Sequence, residues 1–297
     1  MTPSDSPPRP SAELQHLITR ARAVDGSPPF SDGALVELER GTRELVRVGE
    51  AVALVSATEA EFVVDPDARR HGHGTRMLHR LTTGAQRLFW AHGDHPGSRA
   101  LAAAFGLVPA RRLLHLEAAV AASVPEALEG PDALEGPEAL EGPGHAGHTS
   151  RTSVSEGATL RPFTPEDAEA WLALNARAFA GHPEQGTLTR ADLDVLLAEP
   201  WFDPEDFLLL WDGDELLGFC WLKREGGEGE FYVVGVAPHR QGEGIGRELV
   251  TAGFARLASV GIPTAHLYVE GDNAAALALY RSFGFTERSV DVQYRSP

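Results

Sequence analysis

Two short stretches constrain what this chain can fold into more than any others. PDARRHGHGTRML begins at Pro66 and PHRQGEGIGRELV at Pro238, and each sets glycines immediately ahead of an apolar helical run. Glycine there lets the backbone approach a ligand closely. The unpaired N–H groups of the helix's first turn then point at that ligand, with the positive end of the helix dipole behind them. A phosphate or pyrophosphate suits such a turn. Neither stretch continues into Lys followed by Ser or Thr, as a P-loop requires. The G-x-G-x-G spacing after meandering strands also departs from the dinucleotide fingerprint, which sits inside a β-α-β crossover. On the residues alone, a purely structural glycine cap stays open.

The surroundings of the two turns repeat as well. In the first lobe, helical patterns near residues 11–24 and 33–40 precede the strand-like ELVRVGE, AVALVSA and EFVVD; the turn and helix follow, then RLFWAH, a short helix and RRLLHLEA. In the second lobe, two helical patterns precede FLLLWDG, LLGFCWLK and GEFYVVGVA; the turn and the helix from Ile245 follow, then TAHLYVE, NAAALALYRSFG and FTERSVDVQY. FGL at 105–107 echoes FGF at 283–285. The chain reads as a fused duplicate of an α+β unit, because the central strands of each half follow one another without intervening helices. The expected organisation is a disordered tail over 1–10, an N-terminal domain over 11–119, a flexible acidic linker over 120–156 and a C-terminal domain over 157–297. The linker carries EALEGPDALEGPEALEGP at 126–143, three six-residue units each closed by Gly-Pro, which interrupts a helix. His145 and His148 within it read as solvated loop residues, and no metal site is expected.

Charge narrows the partners. With 26 basic against 43 acidic residues the formal charge is -17, which disfavours nucleic acid and anionic membranes and suits a small cationic or polyol substrate. A single cysteine, Cys220, excludes an internal disulfide. No apolar run of signal-peptide or membrane-spanning kind occurs, so the expectation is a cytoplasmic monomer.

The second turn resembles the Q/R-x-x-G-x-G/A signature of the acyl-CoA N-acetyltransferases of the GCN5-related (GNAT) superfamily: Gln241, Gly242, Glu243, Gly244, Ile245, Gly246. In the first lobe Arg69, Arg70, His71, Gly72, His73 and Gly74 stand in the same pattern. Downstream, Asn273, Ala276, Tyr280 and Gly284-Phe285 match the family's N-x-x-A-x-x-x-Y-x-x-x-G-F ending. The resemblance implies two tandem GNAT domains, each a central, mostly antiparallel mixed sheet flanked by helices, and acetyl-CoA as co-substrate. It implies that Val234, Gly235 and Val236 pair with the pantetheine arm. The turn from Gln241 to Arg247 would hold the pyrophosphate, and Asn273, Ala274, Ala275, Ala276, Leu277 and Ala278 would complete the cofactor site. By the same match Phe62, Val63 and Val64, with Arg70, His71, Gly72, His73, Gly74 and Thr75, would hold acetyl-CoA in the first lobe. Glu243 departs from the basic residue often found there and is expected to face solvent.

Acetyl transfer to an amine needs a neutral nucleophile and an acid for the departing thiolate. The resemblance assigns the acid to Tyr280; read plainly, Tyr280 is a half-buried aromatic on a short helix. Glu230 shares a strand face with Tyr232 and Val234 and can serve as base, the plain alternative being a solvated strand-end glutamate. The first lobe has Ala102 opposite Tyr280 and Thr58 opposite Glu230, so it lacks both groups. An acyl-enzyme on Cys220 is a rival route, against a small buried residue in FCW. NARAFAGHPEQG at 175–186, GFCWLK at 218–223 and LYVEGDN at 267–273 further resemble the actinobacterial mycothiol synthase family. That implies acetylation of the cysteinyl amine of cysteinyl-glucosaminyl-inositol, with substrate contacts at Asp32, Glu184, Lys223, Glu230 and Tyr268. Alternatives are a tandem acetyltransferase for an aminoglycoside or a protein N-terminus, and a non-enzymatic acetyl-CoA-binding regulator.

Overall fold

The computed structural model describes residues 11–84, 86–123, 157–181 and 185–296. The chain forms two compact units. One comprises 1–115 with 269–274 and 287–297, the other 116–268 with 275–286.

The first unit opens with two helices, α1 (Ala12–Asp25) and α2 (Asp32–Glu39). Each is started by a serine, Ser11 or Ser31, whose hydroxyl accepts an N–H of the first turn, as an N-cap requires. They pack Leu14, Leu17, Ala21 and Ala34 against Val52, Leu54 and Val63. Strands β1 (Glu44–Val48), β2 (Ala51–Val55) and β3 (Glu59–Val64) form an antiparallel meander, with β2 buried throughout. The glycine turn leads into α3 (His73–Thr82), then β4 (Leu88–Ala91), α4 (Pro96–Ala104) and β5 (Val108–Ala119). Strand β4 runs parallel to β3 but pairs with it only from Glu59↔Leu88 to Glu61↔Trp90.

Residues 120–123, drawn into the linker from sequence, form a short helix α5 (Val120–Ser123), and the Val120 N–H donates to the carbonyl of Pro263. The EALEGP repeats, His145 and His148 lie outside the described residues, as do the first ten residues.

The second unit continues with β6 (Ala158–Pro162), a strand the sequence pattern did not suggest, followed by α6 (Ala168–Ala178) and α7 (Arg190–Leu197). Strands β7 (Phe207–Asp212), β8 (Glu215–Glu225) and β9 (Glu228–Val236) repeat the meander. Then come α8 (Ile245–Ser259), β10 (Thr264–Glu270), α9 (Ala274–Ser282) and β11 (Thr286–Arg295). Trp171 of α6 meets Phe207, Phe219 and Trp221 edge-on at 5.4–5.6 Å, while Phe207 and Trp221 stack at 4.2 Å. Those offset and T-shaped geometries are what the aromatic quadrupole favours in a buried cluster. Asp206, 1% exposed, is held between the guanidinium groups of Arg224 at the end of β8 and Arg256 of α8, so that no buried charge is left unpaired.

In one respect linear order misleads. Read along the chain, β11 closes the second lobe; in the structure Val292, Gln293, Tyr294 and Arg295 pair antiparallel with Ala91, Trp90, Phe89 and Leu88 of β4, in the first unit.

Candidate functional site

Strand β9 carries the site because of how it is paired. Along β9 buried residues (Gly229, Phe231, Val233, Gly235) alternate with half-buried ones (Glu230, Tyr232, Val234, Val236), but the single face expected from sequence for Glu230, Tyr232 and Val234 is broken at Tyr232: Phe231 packs on Phe254 of α8, whereas Val233 and Tyr232 join the cluster around Trp171 of α6. Toward β8 the pairing is continuous except for a bulge that leaves Tyr232 without an opposite residue, between Trp221↔Val233 and Leu222↔Phe231. Toward β10 the strands are parallel and pair only at Ala265↔Gly229 and His266↔Glu230. Beyond that point they separate, so the β10-facing edge of β9 over Val234, Gly235 and Val236 is not taken up by the ladder. A strand edge released in this way can accept an extended polar ligand as an added strand.

The glycine turn sits at the end of this edge. Gly242 and Gly244 have φ of 87° and 89°, and Gly244 caps α8 in the left-handed conformation, turning the first-turn N–H groups outward. Gly246 is tightly packed: a Cβ there would stand 3.2 Å from Leu279, close enough that this side chain must give way, and 3.8 Å from Val236, in ordinary contact. Glu243 is exposed and paired with Arg240 at 2.8 Å, so its carboxylate is engaged at the surface. Arg247 is exposed too, over the ring of Phe283 and donating to the Ser282 hydroxyl at 3.1 Å. Asn273 immediately precedes α9, Ala274, Ala275 and Ala278 are exposed on it, and Leu277 is buried.

The first unit repeats this construction residue for residue. Gly72 caps α3 with φ of 77°, and a Cβ on Gly74 would come within 2.9 Å of Leu101 and 3.5 Å of Val64, the counterparts of Leu279 and Val236. Arg70 takes the place of Gly242 and keeps its left-handed backbone at φ 66°, unusual for a side chain with a Cβ. Where β3 and β4 part, a cavity of 700 Å³ opens, bounded by Phe62, Val63 and Val64, by Gly72, His73, Gly74 and Thr75, and by Ala102 and Tyr294. His71 contacts the carbonyl of Ala68, and His73 Nδ1 accepts the Glu50 N–H.

The candidate chemical groups are in the second unit. Tyr280 lies on α9, 9% exposed, edge-on to Phe285 at 5.6 Å. Burial, and secondarily Cys220, pushes its phenol well above the ordinary range, so it carries its proton throughout the physiological range. Cys220 is fully buried and burial raises its thiol too, the reverse of what an attacking thiolate needs. Glu230 faces Lys223 across the β8–β9 ladder. Burial raises the neighbouring Tyr232 phenol, with Glu230 and Glu199 adding to the effect. Lys223 lies over the Trp201 ring at 5.4 Å and pairs with Glu225 at 3.1 Å, and Trp201 meets Tyr232 at 5.3 Å. Tyr268, 49% exposed on β10, stands edge-on to His266. The structure thus gathers Lys223, Glu230 and Tyr232 with Glu199 and Trp201, two residues the sequence reading missed because they lie in the irregular segment after α7. Asp32 is exposed at the start of α2 in the first unit, and Glu184 lies outside the described residues.

A meander that opens into a splayed parallel pair, with a glycine-capped helix at the split and the whole arrangement present twice, defines a tandem N-acetyltransferase of the GNAT superfamily. Residues 169–285 match the Acetyltransferase (GNAT) family model. The fold is similar to that of a GCN5-related N-acetyltransferase from Sphaerobacter thermophilus, with a TM-score of 0.62 at 22% identity over 94% of this chain and 90% of that one. It is also similar to a tandem GNAT protein from the clavulanic acid biosynthesis pathway, with a TM-score of 0.60 at 16% identity over 95% and 94%. In sequence the chain is 47% identical to the mycothiol acetyltransferase of Clavibacter michiganensis subsp. michiganensis, covering 95% of this chain and 90% of the relative. The chain belongs to the mycothiol acetyltransferase family. It is an N-acetyltransferase, and its fold implies acetyl-CoA as co-substrate.

Proposed function

We propose that this enzyme transfers an acetyl group from acetyl-CoA to the cysteinyl amine of cysteinyl-glucosaminyl-inositol, giving mycothiol and coenzyme A, at one catalytic centre in the second compact unit. The observation that carries the reading is the released edge of β9 beside the glycine-capped start of α8, with Glu230 and Tyr280 in the same compact unit. Acetyl-CoA supplies the activated acyl group. Val234, Gly235 and Val236 offer backbone groups to its amide arm. The N–H groups of the turn from Gln241 to Arg247 take its pyrophosphate, and Asn273 with Ala274, Ala275, Ala276, Leu277 and Ala278 bounds the far side.

Glu230 accepts a proton from the ammonium group of the acceptor, directly or through one water, leaving a neutral amine. The neutral amine attacks the thioester carbonyl carbon, and as the C–S bond breaks Tyr280, whose burial keeps its phenol protonated, gives its proton to the departing sulfur and regains one from the nitrogen of the new amide. Lys223, Glu230 and Tyr268, with Glu184, hydrogen-bond the hydroxyls and the ammonium group of the acceptor; Asp32, which the family resemblance also suggested, belongs to the other compact unit. The lobe over 11–119 keeps a cofactor-type cavity but has Ala102 for Tyr280, so it binds acetyl-CoA without turning it over. Residues 124–156 act as a passive acidic linker, and the protein works as a cytoplasmic monomer without a metal.

The test gives the purified enzyme acetyl-CoA and cysteinyl-glucosaminyl-inositol and quantifies coenzyme A and N-acetylated product by chromatography with mass detection. The expected outcome is equimolar formation of both. Turnover of an aminoglycoside or a peptide N-terminus, with none of this amine, would overturn the reading.

A further inference from the structure

Asn175 is an anomaly in α6. It occupies the buried stripe shared by Trp171 and Leu174 and is only 1% exposed, yet its carboxamide brings donors and acceptors into an apolar face. A buried carboxamide must find partners, and these partners are outside the helix. The Asn175 Nδ2 donates to the backbone carbonyl of Gln185 at 2.6 Å, and the Gln185 Nε2 donates back to the Asn175 Oδ1 at 3.1 Å.

The next residue is fixed as well. A Cβ on Gly186 would overlap the carbonyl of Phe179, the residue that caps α6, so the backbone of the segment lies directly on the end of the helix. The Phe179 ring in turn passes within 3.3 Å of where a Cβ on Gly235 would stand, next to the released edge of β9. Leu188, three residues after Gln185, packs into the aromatic core. The segment is thus held by a reciprocal side-chain clamp, a backbone contact that only glycine permits, and an apolar anchor.

We propose that Asn175 is a positioning residue for the acceptor. Through Gln185 it fixes the 185–187 segment against the end of α6 beside Gly235, and so sets the wall that selects the amine substrate. Gln185 directly follows Glu184, to which the acceptor contact was assigned, so the inference rests on the reading given above. It adds a residue that touches neither acetyl-CoA nor the reacting atoms.

The experiment compares wild type, Asn175→Ala and Gln185→Ala, using whichever amine wild type turns over fastest. Steady-state constants are measured for both substrates, and hydrogen exchange is followed by mass spectrometry over 185–188. Asn175→Ala is expected to raise the KM for the amine about tenfold while leaving kcat and the KM for acetyl-CoA within about twofold. Amide exchange in 185–188 should accelerate while β8 and β9 stay protected. Gln185→Ala keeps the backbone acceptor and loses the return bond, so its KM for the amine should rise about threefold. An unchanged amine KM, or a parallel rise in both KM values, would overturn the proposal. If Asn175→Ala does not fold, an unchanged amine KM in Gln185→Ala does the same. Failure of wild type on cysteinyl-glucosaminyl-inositol bears on the proposed substrate alone, because the clamp is assayed with any amine that is turned over.

Discussion

Two side chains carry the proposed reaction at the residue scale, and their burial distinguishes them. Tyr280 is enclosed, with its phenol pushed up by desolvation, which suits a group that must arrive protonated and give its proton to a thiolate. Replacing it by Phe keeps the packing against Phe285 and removes only the proton. The expected result is a fall in kcat of about 100-fold, with the KM for acetyl-CoA within about twofold; wild-type kcat would exclude Tyr280 as the acid. Glu230 is half-buried on β9 opposite Lys223, and the proposal has it meet the amine there. Glu230→Gln should lower kcat/KM for the amine and flatten the acid limb of its pH profile, and an unaltered limb would assign the base elsewhere. Both candidates were chosen from the sequence, Tyr280 through the Y-x-x-x-G-F match and Glu230 through a strand alternation that the bulge at Tyr232 interrupts. Glu199, Trp201 and Asn175 were not. The first two lie in an irregular segment with no periodicity to place them, although the polar Asn175 within the apolar stripe AWLALNARAF was a signal that could have been read.

At the level of elements, the released edge of β9 and the capped start of α8 form a single device. Pairing with β10 stops after two residue pairs, and the glycine turn sits where the strands part. Because a Cβ on Gly246 would crowd Leu279 at 3.2 Å, Gly246→Val should force α8 and α9 apart and raise the KM for acetyl-CoA about tenfold, with a smaller change in the amine KM. Equilibrium binding of acetyl-CoA by calorimetry checks it, and an unchanged affinity would mean that the turn does not hold the cofactor. The internal duplication extends to this packing, since Gly74, Leu101 and Val64 reproduce Gly246, Leu279 and Val236. Sequence alignment of the two turns carries that relation, because the repeated contact follows from equal spacing along equal elements.

For the molecule as a whole, the first unit depends on residues from the far end of the chain. His92 donates from both ring nitrogens, to Asp291 of β11 at 2.8 Å and to Glu61 of β3 at 3.2 Å. Glu61 also accepts the N–H and hydroxyl of Ser31 and pairs with Arg43. Burial opposes the charge on His92, but its two carboxylates outweigh that and raise its pKa to about 9. Burial likewise opposes the charge on Glu61, and the bonds from His92 and Ser31 still leave its carboxyl below the ordinary range. The sign follows from linkage. A histidine raised from 6.5 to about 9 contributes stability that is complete below pH 6.5 and lost as pH rises through 9, on the order of 3 kcal/mol. Glu61 contributes stability that is present above its unfolded value and lost as pH falls through its depressed one. Denaturation midpoints between pH 6 and 10 should therefore fall more steeply in wild type than in Asp291→Asn, and identical slopes would show that the network carries no linked charge.

The sequence by itself determined most of the elements, the duplication and the family to which the second turn belongs, because periodicity, glycine spacing and the Y-x-x-x-G-F segment are local properties of a chain. Only the tertiary structure decided that Val292 to Arg295 pair with β4, that Asp291 meets a histidine 199 positions away, and that Asn175 reaches across to Gln185. Strand pairing and buried polar partnership are fixed by which groups a fold brings within hydrogen-bond distance, and pattern along the chain carries no record of that choice.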